Sequence, residues 1–331
     1  MIKFLKLFFL FIFSCVIPCF SSHADLIDLS QQLEAGDIEA IQSSLLENEV
    51  VSESLYRAIV LFYDEDYEQA ETFLENYVEE KPNDGRGHYW LGRTYIQRIA
   101  EVSFFSKKGL VKKAGQSFDK ALALKPGDID VMEMLVYYHT NVPPFLGGDK
   151  TLAMRYAEQM LRSDKARGLH AQGLVQAANE EYQPAIKSFN EAIQQSEQMV
   201  YFYHSLAILH FTQEQYTEAI DVFQALFNKR LQPARYEFKR LHQAAYYLTG
   251  KTASEQGVRL EQGIEALQVY LTQSVLPGNK GPAWAQLHLA NLLLLTERTD
   301  KAKTIYQSIK PPEDKDKQWS GLYKRIGKQL D

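Results

Sequence analysis

The sequence predicts an all-α chain built as an antiparallel helix-pair solenoid of about seven repeats, with an N-terminal cap and a C-terminal closing helix. Three observations carry that expectation. From Ala166 to about Pro233 the chain states one pattern twice, 34 residues apart: Gly173, Tyr182, Ala185, Ile186, Phe189 and Ala192 are answered by Ala207, Tyr216, Ala219, Ile220, Phe223 and Leu226. Such a period marks stacked helix-turn-helix units rather than one globular core. Apolar residues recur at helical spacing, and no strand-like alternation of any length is present. A small residue also recurs where paired helices must cross closely: Ala70, Ala114, Ala153, Ala185, Ala219, Gly263 and Ala302, at intervals of 44, 39, 32, 34, 44 and 39 residues. Intervals well above 34 predict inserted segments.

Residues 1–24 carry Lys3 and Lys6, a largely apolar run from Leu7 to Phe20, and Ser22-His23-Ala24 before Asp25. These are the charged, apolar and small-residue parts of a secretory signal peptide, and the run is shorter than the ~20 residues a spanning helix needs. The expectation is export, most simply to a periplasm, with cleavage after Ala24; retention as a lipid anchor or an N-terminal membrane anchor are the alternatives. Cleavage there would remove both cysteines and leave 34 basic against 42 acidic residues, a net charge of −8. A disulfide or thiol chemistry is then excluded, and the acidic balance argues against nucleic acid as a partner. No later stretch is long and apolar enough to span a membrane.

Residues 25–50 read as an irregular helical cap, with Leu26, Leu29 and Leu33 before the Gly36-Asp37 break and Ile38, Ile41 and Leu45 after it. The repeat array is placed at 51–310. Its first repeat runs from Val51 to Asp84, where Pro82 stops the second helix. The second begins at Gly85, and an insertion at about 97–110 separates its helices. The third, from Ile129, has a ten-residue connection at 141–150, where Pro143-Pro144 cannot continue a helix and Gly147-Gly148 permit a tight turn. Two regular repeats follow. The sixth is degenerate, with helices at Leu241–Leu248 and Leu260–Leu271 and a polar connection from Thr249 to Gly257. The seventh carries Leu289, Ala290, Leu293, Ala302 and Tyr306, and 311–331 hold a charged closing helix.

The pattern of small and bulky residues resembles the tetratricopeptide repeat. That resemblance implies a right-handed superhelix whose first helices line a concave groove, and it places Tyr63, Tyr89, Arg93, Tyr137, His170, Tyr201 and His204 on that groove as candidate partner-binding residues. Aromatic side chains with an arginine are the types enriched at the energetic centres of interfaces. His170 and His204 are 34 residues apart and should stand on adjacent rungs, about one helix diameter apart, too far to share a metal ion. His139 and His210 fall at a packing position and are expected to be hydrogen-bonded core residues.

The two insertions should lie on one edge of the solenoid. The first contains Phe104, Phe105, Lys107 and Lys108, with Lys112 and Lys113 following. Exposed phenylalanines beside lysines cost solubility, so Phe104 and Phe105 are expected to pack under the Pro143-Pro144-Phe145 loop, or else to face a ligand. The strings Ser103 to Lys113, Ala121 to Pro126 and Tyr137 to Lys150 resemble a group of bacterial exported tetratricopeptide proteins that share this double insertion, with Asn141-Val142-Pro143 as a departure. That resemblance implies no particular activity.

Motifs for phosphate cradling, zinc hydrolysis, a nucleophile elbow or calcium binding are missing, so neither an enzyme nor a cofactor is expected. The function expected is that of an exported scaffold binding a protein or peptide in an aromatic groove. The alternative is a small-ligand or lipid-binding accessory of a transport or envelope-assembly system, with the ligand between the double insertion and the groove.

Overall fold

The computed structural model describes residues 40–41, 54–227, 229, 236–313 and 315–330. The signal segment and most of the expected cap lie outside the described residues. Among them the chain forms fifteen α-helices, one 3-10 turn and no strand. In order these are α1 (Ser54–Tyr63), α2 (Tyr67–Glu80), α3 (Gly85–Arg98), α4 (Phe104–Leu124), α5 (Ile129–Asn141), the 3-10 turn Pro144–Leu146, α6 (Lys150–Ser163), α7 (Lys165–Ala178), α8 (Tyr182–Gln195), α9 (Val200–Thr212), α10 (Tyr216–Phe227), α11 (Tyr236–Gln256), α12 (Leu260–Leu271), α13 (Pro282–Leu295), α14 (Thr299–Ser308) and α15 (Lys317–Leu330). Each helix packs on its sequence neighbours, and the first helices of successive repeats also touch, as α5 and α7 do. The result is a helical solenoid of seven pairs closed by α15.

Local chemistry explains where the helices begin. Asp66, Asp84, Asp128, Asp149 and Asp164 stand at helix N-termini, and each accepts a hydrogen bond from a backbone N–H of the first turn. Such a cap contributes about 1 kcal/mol and fixes the helix start. Within four pairs the turn is the same device. Glu65, Glu180, Glu214 and Glu297 adopt φ near +60°, and the next residue donates its N–H to a carbonyl five residues back, as Asp66 does to Leu61 at 2.9 Å and Arg298 to Leu293 at 2.7 Å. The two pairs with insertions depart from this turn.

The crossing residues behave as their size requires. Ala70, Ala114, Ala153, Ala185, Ala219 and Ala302 are fully buried, and Gly263 is buried on α12. At Gly173 a Cβ would stand 2.6 Å from the Phe189 ring, so only glycine lets α7 and α8 approach this closely.

Three features differ from the sequence expectation. The first insertion is not a loop: α3 continues to Arg98, only 99–103 turn, and residues 104–110 add two turns to the start of α4. Lys107, Lys108 and Leu110 are good helix formers and no proline interrupts the run, so the second helix extends back to Phe104 despite Gly109. The expected connection from Thr249 to Gly257 is also helical through Gln256, because α11 is one continuous helix of 21 residues. Its polarity misled: Thr249, Thr252 and Ser254 are buried, and α13 satisfies Ser254 through Asn291 Nδ2, which donates to its carbonyl at 2.9 Å, and through His288 Nδ1 at 3.2 Å from its hydroxyl. Small polar side chains there let α11, α12 and α13 meet without voids.

The third difference concerns long range. Repeats of a solenoid touch their neighbours, yet here the start of α11 reaches α1. Tyr236 joins the core of the first five helices, and its ring lies 5.1 Å from that of Tyr63. The Tyr63 hydroxyl donates to Glu237. Glu65 and Arg240 converge on Gly278, where a Cβ would lie 2.8 Å from the Glu65 carboxylate and 2.6 Å from the Arg240 guanidinium. The array is therefore bridged between its first and sixth helix pairs.

Candidate functional site

Beside the bridge lies an open cavity of about 450 Å³ lined by residues of α1, α3, α4, α5 and α11, among them Tyr63, Tyr89, Trp90, Arg93 and Glu237. Its floor is set by the pitch of α3, which places Tyr89, Trp90 and Arg93 on one side of a single turn. The Arg93 guanidinium lies 4.3 Å from the Trp90 ring centre, 4.8 Å from that of Phe62 and 5.6 Å from that of Tyr89. Glu237 faces it at 3.7 Å. A cation held among three rings and one carboxylate is stabilised by ring quadrupoles and by the ion pair. Burial opposes its charge, but the surrounding tyrosine hydroxyls and the Glu237 carboxylate outweigh that penalty and raise the pKa of the guanidinium. Burial pushes the Tyr89 hydroxyl up to about 12 against the pull of Arg93. Around the mouth stand Asp84, Arg86, Lys125, Asp128 and Asp130, with Asp84 paired to Arg86 and Asp128 to Lys125, at 2.8 Å and 2.9 Å.

Farther along the same side lies a second polar cluster. Arg167 of α7 reaches Asp130 at 2.6 Å and also pairs with Glu133, both on α5. His170 Nε2 bonds the Ser205 hydroxyl at 2.8 Å, its Nδ1 stands 3.7 Å from Glu133, and its ring stacks on Phe202 at 4.8 Å. Burial would raise the Glu133 carboxyl, yet His170 and Arg167 hold it down at about 2. Tyr201 packs edge-on to His170 at 4.9 Å, and burial, reinforced by Glu133, raises its hydroxyl.

Of the candidate residues, Tyr63, Tyr89 and Arg93 meet in the cavity, and His170 and Tyr201 meet in the second cluster. His204 lies apart from both, edge-on to Phe223 at 5.6 Å; burial, with Arg240 nearby, lowers it to about 4. Tyr137 is exposed on α5 and lines neither. His210 is hydrogen-bonded as expected, through Nδ1 to Gln215 at 2.7 Å. His139 is buried but differs: neither ring nitrogen has a close partner, and the ring instead packs between Tyr138 and Tyr156.

The packing expected at the double insertion is overturned for Phe105. Phe105 is 91% exposed and Phe145 82%, so they do not cover one another, and neither lines the cavity. The reason is the added helical turns, which carry Phe105 away from the loop. The Phe104 side chain lies outside the described residues. Lys108 is exposed and Lys107 partly so.

Sequence reasoning missed Trp90, Glu133, Arg167 and Glu237. A signal was available for two of them: Glu133, Arg167 and Tyr201 are each 34 residues apart, one repeat per step, which stacks them on consecutive rungs. Nothing local marks Glu237, whose role comes from the bridge. Among the described residues no group of three His, Cys, Asp or Glu could hold a metal ion, and no helix is long and apolar enough to cross a membrane.

Comparison with known proteins agrees with this architecture. Residues 56–129 and 164–235 match a tetratricopeptide repeat family model. No curated protein matches significantly in sequence. Among solved structures, a tetratricopeptide repeat protein from Parabacteroides merdae is 16% identical, aligned over 83% of this chain and 98% of its own, with a TM-score of 0.43. Pseudomonas aeruginosa pilF is also 16% identical, over 74% and 97%, with a TM-score of 0.45. The APC/C hetero-tetramer Cut9-Hcn1 is 16% identical, over 92% of this chain and 56% of its matched chain, with a TM-score of 0.50, a likeness of fold alone. Helix pairs, their 34-residue period and the family match together identify tetratricopeptide repeats in residues 56–129 and 164–235.

Proposed function

We propose that this protein is an exported, non-enzymatic scaffold that holds a peptide segment of a protein partner on its concave side, anchored at the Arg93 cavity. Tetratricopeptide folds commonly serve as protein-interaction scaffolds. The observation that carries the reading is the cavity's composition: an arginine set among aromatic rings, surrounded by charged side chains of both signs. That is the anatomy of an interface centre, an aromatic and arginine floor inside a polar rim. An extended peptide can lay an apolar side chain on Tyr89 and Trp90 while its own charges exchange with the rim pairs.

Affinity capture with the wild-type protein and with Tyr89→Ala tests this. Partners retained by the wild type and lost by the variant support the groove; identical partner sets refute it. A second reading has one specific observation in its favour, since about 450 Å³ lies in the range of small-molecule sites. Native mass spectrometry showing a retained small ligand would favour that reading over the peptide.

A further inference from the structure

The edge carrying the two longer connections differs in character from the concave side. There α4 begins with no carboxylate in its first turn, and the Ser103 side chain makes no capping bond. From Ser103 to Phe118 the sequence holds Lys107, Lys108, Lys112 and Lys113 and no acid, in a chain whose net charge is −6. Cations near a helix N-terminus oppose its dipole, so the helix itself gives no reason for them. Lys113 is engaged by Glu75 at 2.9 Å, while Lys108 and Lys112 face solvent.

Geometry makes this end of α4 a projection. A Cβ at Gly115 would lie 2.7 Å from the Tyr138 ring, and the Tyr138 hydroxyl donates to the Leu146 carbonyl at 3.3 Å. The connection bearing Phe145 thus packs at the level of Gly115. Phe105 lies ten residues earlier, about 15 Å farther along the helix. It is 91% exposed, and Phe145 on the neighbouring connection is 82% exposed.

We propose that the first two turns of α4, with Phe105 at their tip, Lys107 and Lys108 beside it and Lys112 one turn beyond, dock this protein on an anionic lipid surface. A convex helix end has no groove to receive a peptide, whereas a bilayer interface deforms around it. The phenyl ring inserts at headgroup depth, and the lysine stems lie along the interface with their ammonium groups toward lipid phosphates. Charge complementarity selects the surface: the local cluster is basic although the whole chain is acidic, so an anionic membrane attracts this end and repels the rest. Docking by this end fixes the orientation of the solenoid on the membrane.

The test is a tryptophan placed at the tip. Trp90, Trp284 and Trp319 are buried, so in the full chain Phe105→Trp supplies the exposed indole. With phosphatidylglycerol vesicles its emission should shift to the blue and be quenched by brominated acyl chains, and high salt should reverse both. Phosphatidylcholine vesicles should leave it unchanged. Each lysine near an anionic surface favours binding by on the order of fivefold, so Lys107→Glu with Lys108→Glu in the same background should weaken the vesicle titration by at least ~25-fold. Attachment through another part of the chain leaves the probe unshifted and overturns the proposal. So does a shift that survives charge reversal, or one produced by polyglutamate and not by vesicles.

Discussion

Replacing Gly173 by alanine sets two effects of known sign against each other. Alanine is the better helix former by ~0.8–1.0 kcal/mol, so in open space the change stabilises. At this site the new methyl would stand 2.6 Å from Cδ1 and Cε1 of Phe189, and restoring an ordinary contact of about 3.6 Å requires the ring to retreat by about 1 Å. Phe189 is 1% exposed, with Leu206 and Leu209 in its cluster and the His170 ring 5.5 Å away. Overpacking of that kind typically costs ~1–3 kcal/mol. Steric cost should therefore win, with a net loss of about 1 kcal/mol. Gly321 is the control: it lies within α15 with nothing within 4 Å of the added Cβ, so Gly321→Ala should gain ~0.5–1 kcal/mol. Thermal unfolding followed by helical circular dichroism should order the proteins Gly321→Ala, wild type, Gly173→Ala, with steps of roughly 2 °C. If Gly173→Ala melts at or above wild type, the helices are not in the close contact described and the reasoning fails.

Glu237→Ala removes the carboxylate that faces Arg93 and accepts from Tyr63, a partly buried interaction of ~1.5–3 kcal/mol. Amide hydrogen exchange should quicken in both α1 and α11, by tenfold or more, and not in α14; unchanged exchange in α1 would mean that Glu237 does not hold the bridge. Acid should weaken the fold early. Burial lowers His204 to about 4 and, with Lys251 nearby, His288 to about 3, so unfolded chains take up protons below their usual pKa of ~6.5 while the folded form stays neutral. The stability these groups supply is full above that value and falls as pH drops toward 4 and 3. Between about pH 7.5 and about pH 5 each should cost about 2 kcal/mol, while the stability supplied by Glu133, held near 2, is still full at pH 5 and is lost only as pH falls from about 4.5 toward 2. His288→Gln should reduce the pH slope, and a wild-type denaturation midpoint equal at both pH values would contradict the assignment.

The parts of the fold that follow from local spacing were legible in the sequence. Helix pairing, the crossing alanines and the α12 boundaries, Leu260–Leu271, follow from period and residue size, both of which are local properties. Polar composition misled at Thr249 to Gln256, because a buried hydroxyl met by Asn291 and His288 looks in sequence like an exposed one. It misled in the opposite sense at Phe105, where two added helical turns replaced a loop that would have folded back. Three of the seven candidate groove residues, Tyr63, Tyr89 and Arg93, meet in the cavity because α1 and α3, first helices of adjacent repeats, bring the end of one beside the first turns of the other. Glu237 was beyond reach: its contact with Tyr63 spans 174 residues, and no short-range pattern encodes the curvature that brings them together.

The contact between α1 and α11 also limits how this chain can evolve. An open solenoid gains or loses a unit by duplication or deletion at little cost, since each unit needs only its neighbours. Here a unit added or removed between residues 94 and 236 would displace Glu237 from Arg93 and Tyr63 by a full rung and leave a half-buried arginine without its carboxylate. Changes in length can be absorbed only inside a repeat, as extra turns at the start of α4 or a longer α5–α6 connection, or beyond the bridge toward α15. The number of units in between is locked, as the number of staves is in a hooped barrel.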